Sequence, residues 1–160
     1  MTITVDLDGV VVGGIYVSEW DRKPKIYASL PVIDGACNGI WHLAVRHNVY
    51  WLTSRSFEQA GLTSIDWLKF NNFPLGSGVI TGVPSDCKKF VAKALGAAMH
   101  IDDNPAIVSS LIGTGVVGVL FVGRDESGWW AGTREWIDSG RPYFNCWDTM
   151  SKWIEKRLSL

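Results

Sequence analysis

Four carboxylates stand in two close pairs, Asp6 with Asp8 and Asp102 with Asp103, and each pair directly follows a short apolar run. Thr53 and Ser54 follow a third such run, Val49-Tyr50-Trp51-Leu52. In an open parallel sheet the ligand lies outside the carboxyl ends of the strands, so these three groups are candidates for one shared pocket. Carboxylates converging on one point repel one another unless a divalent cation lies between them, and hard oxygen donors suit Mg²⁺. A site of that kind can carry out phosphoryl chemistry. One carboxylate can attack phosphorus and form an acyl phosphate when the phosphoryl group is held in line and its charge is neutralised. A second, two residues on, can protonate the leaving oxygen and later activate water. A hydroxyl at the next strand end can bond a phosphoryl oxygen, and a lysine at a helix start can offset the charge that develops in the transition state. Lys88 and Lys89, in the first turn of a helical segment, both qualify as that lysine.

The elements that must position these groups follow from the hydrophobic pattern. Short β-branched runs alternate with stretches of helical period, which predicts an α/β domain with a mainly parallel sheet. Strands are expected at Ile3 to Val5, Val49 to Leu52, Val79 to Thr81, Ala98 to Ile101 and Val116 to Val122. Helices are expected from Ile33 to His47, from Phe57 to Phe70, from a cap at Ser85 or Asp86 to the stop at Gly96, from Ala106 to Leu111 with Asn104 as cap and Pro105 in the first turn, and from Trp147 to Leu158. Gly123 to Asn145 reads as irregular and aromatic.

The order of these groups carries a resemblance. Asp-Leu-Asp-Gly-Val at 6 to 10, Trp-Leu-Thr-Ser-Arg at 51 to 55, Lys88, and Ile-Asp-Asp-Asn-Pro at 101 to 105 resemble the four ordered motifs of the haloacid-dehalogenase-like (HAD) superfamily, over residues 1 to about 122. The resemblance implies a three-layer Rossmann-like domain and a phosphatase of capless or minimal-cap type. It makes Asp6 the nucleophile, Asp8 the general acid and base, and Thr53 with Ser54 and Lys88 the phosphate-binding groups. Metal ligation would fall to the Asp6 side chain, the Asp8 backbone carbonyl and the Asp102-Asp103 pair, with Asp103 touching Mg²⁺ directly. Lys88 is preferred to Lys89 by its spacing to Gly96 and Asp102.

Each fragment taken alone is weak. Asp-x-Asp-Gly also occurs in calcium loops, but Gly9 is the fourth residue from Asp6, where an EF-hand needs its glycine sixth. A receiver domain also gathers acids, a hydroxyl and a lysine at strand ends, yet it places its acid pair first and its lysine last; here Lys88 precedes the terminal pair. An isolated Thr-Ser is more often a helix cap than a ligand. Asp102-Asp103 weighs more, since two adjacent acids after an apolar strand are costly unless paired or metal-bound. His42, His47 and His100 have no ligand spacing and read as helix-surface or core-edge residues, and Arg55 reads as a solvated loop arginine.

Composition limits the rest. The 160 residues are 47% hydrophobic, enough for one domain over 1–160, with a short flap at about 11–31. A net charge of −1 gives no bulk attraction to nucleic acid or an anionic membrane. Three dispersed cysteines fit neither a disulfide framework nor a zinc site, and no signal peptide or spanning segment is read, so a cytoplasmic protein without a membrane partner is expected. Most of the nine tryptophans read as core filling. Tyr16, Trp20 and Tyr27, with Arg22, Lys23 and Lys25, read first as a surface loop tied down by its aromatics, and as the alternative could cover a base and a phosphate backbone. With little room for a cap, the expected substrate is a phosphorylated one that brings its own bulk, a nucleotide or nucleic-acid end. The alternatives are a phosphoprotein, or a non-catalytic phosphate-binding module on the same fold.

Overall fold

The computed structural model describes residues 1–13, 29–55, 62–123 and 130–159. Six parallel strands form one sheet in the order β3-β2-β1-β4-β5-β6: β1 Thr2–Val5, β2 Asn48–Leu52, β3 Gly78–Ile80, β4 Ala97–Asp102, β5 Val117–Phe121 and β6 Tyr143–Phe144. The helices are α1 Ala36–Ala44, α2 Leu62–Phe70, α3 Lys88–Ala94, α4 Pro105–Ser110, α5 Thr133–Asp138 and α6 Trp147–Leu158. The predicted α/β class and parallel sheet are therefore the observed ones.

Parallel strands covered on both faces should be apolar on both. On one face Ile3, Val5, Met99, Ile101, Val119 and Phe121 pack with Ile40 and Leu43 of α1, Trp67 and Leu68 of α2 and Met150 and Ile154 of α6. On the other, Leu52 and Ala97 pack with Ala92 of α3, and Val108 of α4 meets Leu120 and Trp136 of α5. The exception on this second face is polar. Thr4 and His100 are register partners on β1 and β4, both fully buried, and the two-residue period puts Asp6 and Asp102 on their side.

The tryptophans serve the core largely as expected. Trp51, Trp67 and Trp147 are buried, and each indole N–H reaches a backbone carbonyl, of Pro74, Leu30 and Val10 at 3.0, 2.9 and 2.8 Å. Gly39 lets α1 approach α6, because a Cβ there would stand 2.6 Å from the Trp147 ring.

Several expectations need correction. The first helix is shorter than predicted, and a single 3₁₀ turn, Ser85–Cys87, precedes α3, so neither Ser85 nor Asp86 caps it. Gly123 to Asn145 is not irregular throughout: it contains α5 and the edge strand β6. The predicted α4 cap is present, with Asn104 accepting from the Ala106 amide at 2.9 Å and Pro105 opening the helix. The aromatic and basic flap residues at 16 to 27 and the start of the Phe57 helix lie outside the described residues. No helix among the described residues is long and apolar enough to cross a membrane.

Candidate active site

The carboxyl ends of β1, β2 and β4 adjoin at the centre of the sheet, and the sequence-predicted acids meet there. The Asp6 amide donates to the Ile101 carbonyl at 2.9 Å, which ties the end of β1 to that of β4. Asp6, Asp102 and Asp103 each bring a carboxylate oxygen within 4.8 Å of the others. Lys88, at the first position of α3 and itself buried, reaches between two of them, with Nζ 2.8 Å from Asp6 Oδ1 and 2.8 Å from Asp102 Oδ2. Of the two adjacent lysines, Lys88 is the one that contacts these acids. Lys89 instead lies over the Phe90 ring, 4.9 Å from its centroid.

One ammonium cannot neutralise two buried carboxylates, and the pair divides accordingly. Burial works against the charged form of Asp102, but Lys88 and a hydrogen bond from His100 outweigh it and hold that carboxyl at about 2. Asp6 goes the other way. Burial pushes it well above the usual carboxylate range, Lys88 only partly opposes this, and Asp102, Asp8 and Asp103 add repulsion. Burial alone would lower Lys88, yet Asp6 and Asp102 together raise it.

His100 was expected at a surface or core edge and is instead an interior part of this network. Its Nε2 lies 3.1 Å from Asp102 Oδ2 and its Nδ1 lies 2.9 Å from Thr4 Oγ1. A signal was available: His100 stands two residues before Asp102, hence on the same face of a buried strand. His42 and His47 lie elsewhere, around Glu155 at the α1–α6 contact.

Asp8 stands outside the three-carboxylate group, and its partner is the second correction. Arg55, predicted to be solvated, is buried: Nε donates to Asp8 Oδ2 at 2.8 Å, Nη2 donates to Asp8 Oδ1, and Nη1 donates to Ser64 Oγ of α2 at 3.1 Å. This is a two-pronged guanidinium–carboxylate pair, the form in which arginine fixes orientation as well as charge. Thr53 is buried at the end of β2, where its hydroxyl accepts from the Arg55 amide at 3.2 Å. Ser54 is exposed and faces Ser85, with their hydroxyls 3.3 Å apart.

The turn after β1 is shaped around Asp103. The amides of Val10, Val11 and Val12 all donate to the Leu7 carbonyl, and Gly9 takes φ of +75°. A Cβ on Gly9 would lie 2.0 Å from Asp103 Oδ2, so only glycine permits this approach. From the far side the Trp130 indole donates to the same oxygen at 2.9 Å. Trp130 lies beyond the last predicted strand; its pairing with Trp129 stands out in the sequence, but nothing there joins it to Asp103.

Comparison of the whole fold with solved structures gives two informative matches. A D,D-heptose 1,7-bisphosphate phosphatase from B. bronchiseptica, complexed with magnesium and phosphate, aligns with TM-score 0.65 and 12% identity over 98% of each chain. A haloacid-dehalogenase-like family hydrolase from Streptococcus pneumoniae aligns with TM-score 0.58 and 11% identity over 89% of this chain and 91% of its own. The chain has the HAD-like fold. No protein-family model matches the sequence, and no curated protein matches it either. At 12% and 11% identity the likeness is one of backbone architecture.

Proposed function

We propose that this HAD-like chain is a Mg²⁺-dependent phosphate-monoester hydrolase that works through an aspartyl-phosphate on Asp6. The observation that carries the reading is the meeting of Asp6, Asp102, Asp103 and Lys88 at the carboxyl ends of the central strands.

The residues fit a hard divalent cation. Three carboxylate oxygens lie within 4.8 Å of one another, and the buried cluster carries more negative charge than Lys88 offsets. Asp6 and Asp103, with the Asp8 backbone carbonyl, would hold the ion, and Asp102 would support them from its place between Lys88 and His100. Bound there, Mg²⁺ would supply positive charge to the phosphoryl oxygens and offset the burial and repulsion that raise Asp6.

The protein's own groups then divide the work. An Asp6 carboxylate oxygen bonds to phosphorus as the ester oxygen departs, and Lys88 and Thr53 bond the phosphoryl oxygens that gain charge. Asp8, which must turn out of its two-pronged contact with Arg55 and take up a proton for this step, gives that proton to the departing oxygen. A water molecule next attacks phosphorus, Asp8 takes its proton, and the Asp6 acyl phosphate breaks to release inorganic phosphate.

For the substrate we favour a nucleotide or a nucleic-acid end. What supports this is the brevity of the two segments where a cap would sit, residues 6–35 and 53–87, neither long enough for a separate folded domain. Phosphate release with Mg²⁺ from nucleotides, DNA 3′-phosphate ends, phosphopeptides and a sugar bisphosphate tests both parts. Turnover abolished by Asp6→Asn is expected, with preference for the first two classes. No turnover across the panel would overturn the enzymatic reading in favour of a binding module, and preference for phosphopeptides would move the substrate to proteins.

A further inference from the structure

Trp130 belongs to none of the four motifs, yet it reaches into the site from the loop after β5. We propose that Trp130 is a positioning residue for the cation of the acidic cluster, acting through Asp103; this rests on the metal-dependent reading above. Asp103 is held from two directions. On one side the bare Gly9 Cα leaves room for Oδ2 where any Cβ would stand 2.0 Å from it. On the other the indole N–H donates to that same oxygen at 2.9 Å. The bond engages one oxygen and resists rotation of the carboxylate about its Cβ–Cγ axis, while an Asp103 carboxylate oxygen stands within 4.8 Å of those of Asp6 and Asp102. A donor to a ligating carboxylate fixes the ligand's orientation before the metal arrives.

The donor is itself placed by packing. The Trp130 carbonyl accepts from the Thr133 amide at 3.1 Å, which joins Trp130 to the first turn of α5. Three residues further, Trp136 is buried against Val108, Leu120 and Val122, and its indole donates to the Pro142 carbonyl at 3.0 Å. Gly132, at φ of +90°, makes the turn between Trp130 and the helix, where a Cβ would stand 3.6 Å from the Pro105 ring. The segment that carries Trp130 is therefore docked on α4, which begins two residues after Asp103. Asp103 and its donor share one rigid support.

Mn²⁺ binding to the metal-free full chain, read from the electron-paramagnetic-resonance signal of free Mn²⁺, tests this without turnover. Trp130→Phe should weaken binding by about 10–100-fold, the range for loss of a partner to a ligand. Replacing the Trp130 indole by benzothiophene, which keeps the ring and removes only the N–H, should reproduce most of that loss and covers the case in which Trp130→Phe fails to fold. In an Asp103→Asn background either change should have little further effect. Affinity within about twofold of the wild type in the benzothiophene variant, or losses that simply multiply with Asp103→Asn, would overturn the proposal. A wild-type chain that binds Mn²⁺ with this dependence on Trp130 but hydrolyses no phosphate ester upholds the placement and refutes the phosphatase reading alone. One that binds no Mn²⁺ refutes both.

Discussion

Replacing Lys88 by methionine removes the cation paired with Asp6 and Asp102, at contacts of 2.8 Å each, while Asp102 keeps His100 and the Asn104 amide as partners. Methionine is close to the aliphatic stem in volume, so the change is one of charge more than packing. Breaking a buried ion pair on one side costs about 3–5 kcal/mol, because the surviving charge stays out of water without its partner. For a chain of this size that corresponds to a fall in Tm of roughly 6–20 °C. Urea denaturation in EDTA at pH 7 measures it. The Coulombic origin is checked by adding Asp6→Asn, which removes one orphaned charge and should stabilise Lys88→Met by at least about 1 kcal/mol more than it stabilises the wild-type chain, a non-additivity expected of groups in contact. A loss below about 1 kcal/mol for Lys88→Met, or strict additivity with Asp6→Asn, would refute the claim that the buried ammonium is what stabilises the cluster.

Asp6→Asn alone should be more stable than the wild type in EDTA near neutral pH. A folded-state Asp raised above its unfolded value binds its proton more tightly when folded, so ionising it as pH rises above about 4 destabilises the native state. The advantage of the variant should therefore vanish on acidification. Asp102 has the opposite sign: held at about 2, it stabilises above about pH 4 and loses that contribution as pH falls toward 2, a loss that Asp102→Asn should abolish in acid titrations followed by circular dichroism. Gly9→Ala should cost about 1–2 kcal/mol for the left-handed backbone and, by displacing Asp103, should weaken Mg²⁺ binding measured by calorimetry. Arg55→Ala should destabilise by about 3–5 kcal/mol in denaturant titration, and Arg55→Lys should restore little, since one ammonium cannot reproduce the two-pronged bond to Asp8.

Residues whose role follows from their distance to a strand end were legible in the sequence. Asp6, Thr53 and Asp102 follow buried runs directly, and a parallel sheet sends the ends of its strands to one place whatever the loops do. Lys88 was legible for a related reason: a helix that returns antiparallel to a strand begins over the carboxyl edge of the sheet. Arg55 was misread because loop arginines are usually solvated, and its burial depends on a tertiary partner, Asp8, forty-seven residues away. The register of β1 with β2, which pairs Val5 with Trp51, is what brings the two within reach. The bond of Trp130 to Asp103 was hidden for the same reason in stronger form, since it depends on α5 docking through Trp136. The region from 123 to 145 hid that docking, because a six-residue helix and a two-residue edge strand are too short for a periodic pattern to declare itself.

The central claim is covalent, and it can be read directly. Rapid acid quenching of the enzyme during turnover of a ³²P-labelled ester with Mg²⁺, followed by peptide mapping, locates the phosphoryl group. An acid-stable, base-labile acyl phosphate on Asp6, absent from Asp6→Asn, is expected. A label on any other residue, or hydrolysis that persists at the wild-type rate in Asp6→Ala, would contradict it.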